Sequence, residues 1–305
     1  VLDVASGDGY LLLPFTERGM SVLGLETDAQ VAASARVPTQ QGAFSLASAE
    51  RLAARGWLAD LVLVNHALAH VDNVDDFVAG LARILCPGGT IAIEFHHALH
   101  VLRGGQFDIV CHAHPNYVTL LALEAAFWRH GLTIVAAYES ALHGGSVRAM
   151  ARRAAERPAV DRSVEAIRKK ERAGGLEGLA GYASVGHRAE RVKRDLVGFL
   201  KSATSAGTLV AGYGAPTRGI TLLNYCGVTV ESLPFTVDRA PDKQGGFLPG
   251  CHIPVRPPEA IAAARPKYVL ILPWALSDEI MEQMSVVRTW GGRFVVAVPE
   301  LRMLN

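Results

Sequence analysis

The first ten residues, VLDVASGDGY, carry an acid near the end of an apolar run and then a turn of small residues. Asp3, Ala5, Ser6, Gly7, Asp8 and Gly9 give the pattern D-x-A-S-G-D-G. Backbone N–H groups of such a turn, with a helix start behind them, favour an anionic or polar ligand. The pattern is not G-x-G-x-x-G, so the dinucleotide-binding fingerprint is absent. A second turn of this kind, GYGAPTRG at 212–219, follows a strand-like run and opens a helix-like one. Its helix start favours phosphate, and Arg218 suits a diphosphate. Histidines gather in two short stretches, EFHHAL (His96, His97) and CHAHP (His112, His114). The HH and HAH spacings suit metal ligands, but no third ligand stands at a suitable spacing, so no metal is expected in this chain.

The elements that position these residues alternate. VLDVA, SVLGLE, ADLVLVNHAL and TIAIEFH read as buried strands, and DAQVAASAR and VDDFVAGLARIL as helices between them. The turn Pro87-Gly88-Gly89 is expected to end the second of these helices. LLALEAAFWRHG reads as a helix, and LTIVAAYES and HGGSVRAMARR as strands. This order predicts a doubly wound α/β sheet. Residues 156–206 lose the strand signal, and RAERVKRDLVGFLKSAT reads as an amphipathic helix. A second α/β sheet is expected from GTLVAGYGAPTRGITLLNYC, SLPFTVD, PKYVLILPW and RFVVAVPE. The expected organisation is a first α/β domain at 1–155, a helical linker at 156–206 and a second α/β domain at 207–305.

Composition agrees with two domains. The chain has 305 residues, 50% hydrophobic and 19% charged, enough for sizeable cores. A formal net charge of +1 gives no field of one sign to attract nucleic acid or an anionic membrane. Cys86, Cys111, Cys226 and Cys251 are far apart with no C-x-x-C pair, so neither a disulfide framework nor a zinc knuckle is indicated. No apolar run of about 18 residues or more is present. Reduced thiols in the cytoplasm are expected.

The first loop resembles that of class I methyltransferases, E/D-x-G-x-G-x-G, which cradles the amino-acid end of S-adenosylmethionine. Ala5 stands where the first glycine would be. The resemblance implies that Asp3, Ala5, Ser6, Gly7 and Gly9 bind this cofactor. The acid holding the ribose hydroxyls ends the next strand in such folds, and Glu26 in SVLGLETD stands there. Asn65 in VLVNHAL fits a polar position of the third strand region, and Phe44 and Ser45 fall where the adenine is flanked.

Over nearly its whole length the sequence is similar to the sugar C-methyltransferases of antibiotic biosynthesis. The stretches that carry the likeness are DVASGDGYLL, VNHALAHVDN, FDIVCHAHPNYVTL, HGGSVR, GYGAPTRGITLLNYCG, VDRAPDKQGGFLPGCHIPV and ILPWALSDEI. The resemblance implies a methyl transfer to a carbon alpha to the ketone of a nucleotide-linked deoxysugar. It also implies a preceding zinc-binding domain with four cysteines. This chain, opening inside its first strand, is read as lacking that domain, so zinc is expected only there.

Carbon methylation needs a base, support for an enolate oxygen, and positioning. Histidine suits the base, since it titrates near neutrality. FDIVCHAHPNY resembles the family's F-D-x-I-Y-x-E-H, which implies His114 as the base and puts Cys111 and Ala113 in place of the tyrosine and glutamate. His112, Tyr117, His96 and His97 are candidate substitutes, and His70 falls on a histidine of the family's site. The remaining substrate candidates are His143 in HGGSVR, Tyr213 and Arg218 in the second glycine loop, Asn224, Asp238 and Lys243. The alternatives are an O- or N-methyltransferase of a related small molecule and a non-catalytic binding relative. An NAD-dependent oxidoreductase is disfavoured because neither glycine loop matches its fingerprint.

Overall fold

The computed structural model describes residues 1–305. Two compact units emerge: Val1–His100 with Ala113–Gly181, and Val101–His112 with Tyr182–Asn305.

Seven strands build the first unit: β1 (Leu2–Val4), β2 (Leu23–Glu26), β3 (Thr39–Gln41), β4 (Ala59–Asn65), β5 (Leu85–His96), β6 (Leu132–Ser140) and β7 (Ser146–Arg153). Their order is β3-β2-β1-β4-β5-β7-β6. The first five are parallel, and β7 runs antiparallel to both β5 and β6. Val62, Val64, Ile91, Ile93, Val147 and Ala149 are fully buried in the sheet, as a sheet covered on both faces requires. The helix Val74–Ile84 starts where Asn73 accepts the N–H of Asp76 at 3.1 Å, and it buries Phe77, Val78, Leu81 and Ile84. The helix Leu120–Arg129 is capped by Thr119, which accepts the N–H of Ala122 at 3.0 Å, and Phe127 carries its face into the core.

The second unit holds β8 (Val210–Tyr213), β9 (Thr236–Val237), β10 (Val255–Arg256), β11 (Tyr268–Ile271), β12 (Arg293–Val296) and β13 (Arg302–Leu304) in the order β10-β9-β8-β11-β12-β13. Only β13 is antiparallel. The helix Ser184–Ser205 buries Ala189, Val192, Leu196, Leu200 and Ala203, the spacing of three and four that makes one face of a helix. Two Rossmann-like α/β sheets are thus what the chain forms, as its alternating pattern predicts.

The units are not bounded at 155 and 207. The helix Arg162–Ala173, expected in a linker, sends Val164 and Ile167 into the first core. Residues 101–112 leave the first unit because Phe107 joins the core of the second, 4.7 Å from the Tyr225 ring. Nor does Pro87-Gly88-Gly89 separate a helix from a strand. β5 already begins at Leu85 and passes through it, with a register irregularity where Ala59 pairs Leu85 and Leu61 pairs Thr90. Proline is tolerated at such a bulge. No helix is long and apolar enough to cross a membrane.

Phe127 is fully buried. Phe127→Ala is expected to cost about 3–5 kcal/mol in urea unfolding. A loss under about 1 kcal/mol would contradict the packing of its helix.

Candidate active site

The small-residue turn leaves β1 through Ala5 (φ 60°), Gly7 (φ 56°) and Gly9 (φ 78°), three left-handed residues in five. Gly9 has a second reason to be glycine, since a Cβ there would lie 2.5 Å from Val37 Cγ2. Ala5 takes the same backbone region with a side chain, a strain of about 1–2 kcal/mol.

Glu26, at the end of β2, locks this turn. Its carboxylate accepts the N–H of Gly7 at 2.9 Å, the N–H of Asp28 at 3.0 Å and the Thr27 hydroxyl at 3.2 Å. Partial burial pushes its carboxyl up, but these donors outweigh burial and hold it below the usual carboxylate range. Beside the turn lies a cavity of about 330 Å³ at the carboxyl ends of the strands. Val4, Ala5, Leu25, Thr27, Phe44, Ala67, His70, Val71, Asp72, Asn73 and Phe77 are among the residues that line it. Phe44 stands edge-on to Phe77 at 5.3 Å and forms an apolar wall.

An ionised acid at the end of β2, an open glycine turn and an apolar slot with an aromatic wall suit an adenosine bearing a polar tail. Glu26 would hold the ribose, Phe44 would flank the adenine, and the turn would meet the amino-acid end. Ser45 does otherwise: its hydroxyl accepts the N–H of Ser48 at 3.2 Å and caps the helix Leu46–Ala54. Ser6 packs against Gly24, where a Cβ would lie 2.4 Å from its Oγ. Asn65 ends β4, opposite Glu94 of β5.

Five imidazoles collect at the same ends of the strands in the first unit. His70 and His114 are 4.7 Å apart between ring centroids, His66 and His96 4.6 Å, His66 and His143 4.7 Å, His96 and His143 5.8 Å, and His96 and His114 6.3 Å. Nδ1 of His70 lies 2.7 Å from the carbonyl oxygen of Ala113. A carbonyl only accepts, so Nδ1 carries the hydrogen and Nε2 is left to the site. The segment after His114 is tied down by Asn116, whose amide donates to the carbonyls of Leu68 at 3.2 Å and Val71 at 2.5 Å.

Sequence reasoning missed three members of this cluster. Glu94 on β5 is 3% exposed and accepts from Arg148 Nε on β7 at 2.8 Å. His66 Nε2 lies 3.3 Å from the other Glu94 oxygen. His66 itself sits at φ 57°, a strained backbone of the kind found at functional sites. Burial, then the neighbouring His143, push its pKa down, so its neutral form is favoured. An acid inside the apolar run TIAIEFH was the visible signal for Glu94. His112 belongs to the second unit, and the cluster is built without it.

The second unit repeats the first unit's device. Asp238, just past β9, accepts the N–H of Ala215 in the glycine loop at 2.6 Å and that of Ala240 at 2.9 Å. Lys243 lies 3.5 Å from the same carboxylate. Arg218 does not point its charge at open space. It makes a two-pronged pair with Asp108, both contacts 3.0 Å, and lies 4.8 Å over the Trp274 ring, whose Nε1 also donates to Asp108 at 2.8 Å. Asn224 spends its amide on the carbonyls of Ile220 and Pro249, both at 2.9 Å. Tyr213 is buried in the core, with its hydroxyl 3.5 Å from Gln283. Tyr117 is partly exposed on the loop after His114.

A sheet of order 3-2-1-4-5-7-6 with strand seven reversed is the class I methyltransferase arrangement, and the cavity at its strand ends is where such a fold binds its cofactor. Comparison with known proteins agrees. A family described as the C-methyltransferase C-terminal domain matches residues 141–299, and a methyltransferase domain family matches residues 2–93. C-methyltransferase NovU of Streptomyces niveus is 32% identical over 308 residues, spanning 100% of this chain and 73% of that protein. The ubiquinone biosynthesis O-methyltransferase of Bradyrhizobium sp. (strain ORS 278) is 31% identical over 98 residues, which is 31% of this chain and 38% of that protein. Among solved structures, an S-adenosylmethionine dependent methyltransferase from Mesorhizobium loti is 15% identical over 50% of this chain and 89% of its own, with a TM-score of 0.40. At that score the fold assignment rests on the sheet order alone.

This chain belongs to the C-methyltransferase family. It is an S-adenosylmethionine-dependent methyltransferase, and S-adenosylmethionine is its cofactor.

Two outcomes test the cofactor half of the site. Glu26→Gln should weaken S-adenosylmethionine binding by about 10- to 100-fold in a calorimetric titration, the worth of a charged hydrogen bond; unchanged affinity would remove Glu26 from the ribose. Asp3 is 3% exposed, and burial pushes its carboxyl up to about 7. Between the ordinary aspartate range and pH 7 the folded chain thus keeps a proton that the unfolded chain has released, so stability falls as pH rises through that window. In cofactor-free protein, Asp3→Asn should abolish a decline of a few kcal/mol between about pH 4.5 and 7.5. Parallel curves for the two proteins would show that Asp3 is ionised throughout.

Proposed function

We propose that this chain methylates a carbon alpha to the ketone of a nucleotide-linked deoxysugar, through an enolate, in natural-product biosynthesis in the cytoplasm. The observation that carries the reading is the pair His70–His114. His70 lines the cofactor cavity, its tautomer is set by the Ala113 carbonyl, and its ring stands against His114 at 4.7 Å. A proton acceptor therefore stands one ring away from the place where a methyl donor is held.

S-adenosylmethionine, when bound, supplies an electrophilic methyl group. His114 takes the proton from the carbon beside the ketone, and that C–H electron pair becomes the carbon–carbon double bond of the enolate. In that step the carbonyl π pair moves onto oxygen. The enolate's C=C pair then forms the bond to the methyl carbon as the methyl–sulfur bond breaks with its electrons kept by sulfur, leaving S-adenosylhomocysteine, and an oxygen lone pair restores the ketone. His114 then gives its proton to solvent. His70 acts on His114 by holding the ring in place.

The enolate oxygen needs donors. Cys111 and Ala113 do not provide what a tyrosine and a glutamate would. His96, His143 and Tyr117 are the groups proposed for that work. His66, kept toward its neutral form, spends its one N–H on Glu94 and so stands beside these donors rather than among them. Glu94 and Arg148 fix its position.

The nucleotide handle is assigned to the second unit. Asp238 holds the Gly212–Gly219 loop as Glu26 holds the first turn, and Lys243 adds a cation beside it. Arg218 is not part of this assignment, since Asp108 already takes its charge.

The test is His114→Asn with a panel of nucleotide-linked 4-keto-6-deoxysugars in heavy water. Methyl gain and deuterium exchange are followed by mass spectrometry. Turnover and exchange should both fall by about 10²–10⁴-fold, the worth of a general base, while cofactor affinity stays within about threefold. A rate within about threefold of the parent would refute the base assignment. Methylation of a substrate without a ketone, at undiminished rate, would instead establish O- or N-methylation.

A further inference from the structure

We infer that His97, His100 and Glu139 form a binding site for a divalent transition-metal ion of the zinc type, apart from the five-histidine cluster. One ring nitrogen of each histidine and one carboxylate oxygen of Glu139 lie within 4.8 Å of one another. His100 Nε2 and Glu139 Oε1 are 3.3 Å apart. Two ligands bound to zinc at about 2.05 Å and at the tetrahedral angle stand about 3.3 Å apart, so this pair already has the length of a coordination edge.

His97 is the decisive member. It is fully buried, and its Nε2 lies 2.7 Å from Glu171 Oε1, also fully buried. Glu171 further accepts the N–H groups of Leu120 at 2.6 Å and Leu121 at 3.0 Å, so it is fixed as an acceptor. Its partner nitrogen on His97 therefore donates, and Nδ1 keeps a lone pair. That Nδ1 is buried without a hydrogen-bond partner. A buried acceptor left open is costly, and coordination is one way to satisfy it. A carboxylate receiving the far N–H of a histidine is also the usual support of a metal-bound imidazole.

Glu139 fits the third position. Lys170 occupies Oε2, which leaves Oε1 toward His100. The His100 side chain is 40% exposed, so an ion has an entry path and a fourth position open to water. Two imidazoles and one carboxylate are a donor set for zinc or cobalt(II) rather than for magnesium or calcium. The sequence hides this site because Glu139 lies far along the chain from the HH pair.

The test is a titration of the full chain with Zn²⁺ by calorimetry and with Co²⁺ by visible absorption. One equivalent should bind, with the bands of a four-coordinate cobalt ion. His100→Ala and Glu139→Gln, both at partly exposed positions, should each weaken binding by more than about 100-fold, beyond the loss typical of a supporting residue. His143→Ala, in the other histidine cluster, should leave it unchanged. No saturable binding, or equal affinity in the parent and both site variants, would overturn the assignment. Loss of binding in His143→Ala alone would also overturn it, by moving the ion to the five-histidine cluster.

Discussion

The fold turns on a carboxylate that accepts backbone N–H groups from a turn one strand away. Glu26 does this for Gly7 and Asp28 in the first unit, and Asp238 does it for Ala215 and Ala240 in the second. The physical need is the same in both. A parallel strand that runs into a glycine turn leaves several N–H groups without ladder partners, and near a ligand crevice they cannot all be given to water. An acid at the end of the neighbouring strand satisfies one of them and keeps the turn open. Charge-assisted bonds of this kind are about twice as strong as neutral ones, and they keep Glu26 ionised. The acid that shapes the turn is thus held toward its ionised form by the turn itself.

The histidine cluster faces a different constraint. His66 stands 4.6 Å from the His96 ring and 4.7 Å from the His143 ring, and a like charge so close disfavours its charged form. Burial and His143 act this way on His66, and Glu94 opposes them from 3.3 Å. Glu94 stands deep in the sheet with Arg148 facing it from the antiparallel strand, at the register position directly opposite. The reversed strand therefore does more than complete the sheet. It carries the counter-charge that lets an acid stand at the base of the site, and both His66 and His143 take left-handed backbone to reach the same point.

Much of this was legible in the sequence, for reasons that differ by residue. The alternation of apolar runs, the small-residue turn and Glu26 at the end of the next apolar run are local signals, and both sheets followed from the alternation. Phe44 and His70 were found through family likeness and do line the cavity. Ser45, Asn224 and Arg218 look equally functional in sequence, yet each spends its polar atoms inside the protein: on a helix cap, on a loop, and on Asp108. Residue type alone cannot separate a polar group facing a ligand from one facing a backbone carbonyl. Glu94 stood out as an acid inside an apolar run, but its meeting with Arg148 depends on the register of β5 against β7 and its meeting with His66 on the turn after β4, which no single strand records.

The stretch FDIVCHAHPNY makes the same point within a single motif. It reads as one site, but the division between units falls inside it, after His112. Phe107 and Asp108 serve the second unit, one in its core and the other as the anchor of Arg218 and Trp274. His114 serves the first unit, beside His70, and Asn116 secures it there. The residues between, Cys111 to Ala113, cross from one unit to the other. Of these, Ala113 is held through its backbone, by the carbonyl that fixes His70. A backbone contact places no demand on the side chain. That accounts for an alanine being compatible with an ordered His70–His114 pair at a position where the family pattern has a glutamate, beside histidines carried by β5, by the turn after β4 and by the turn before β7.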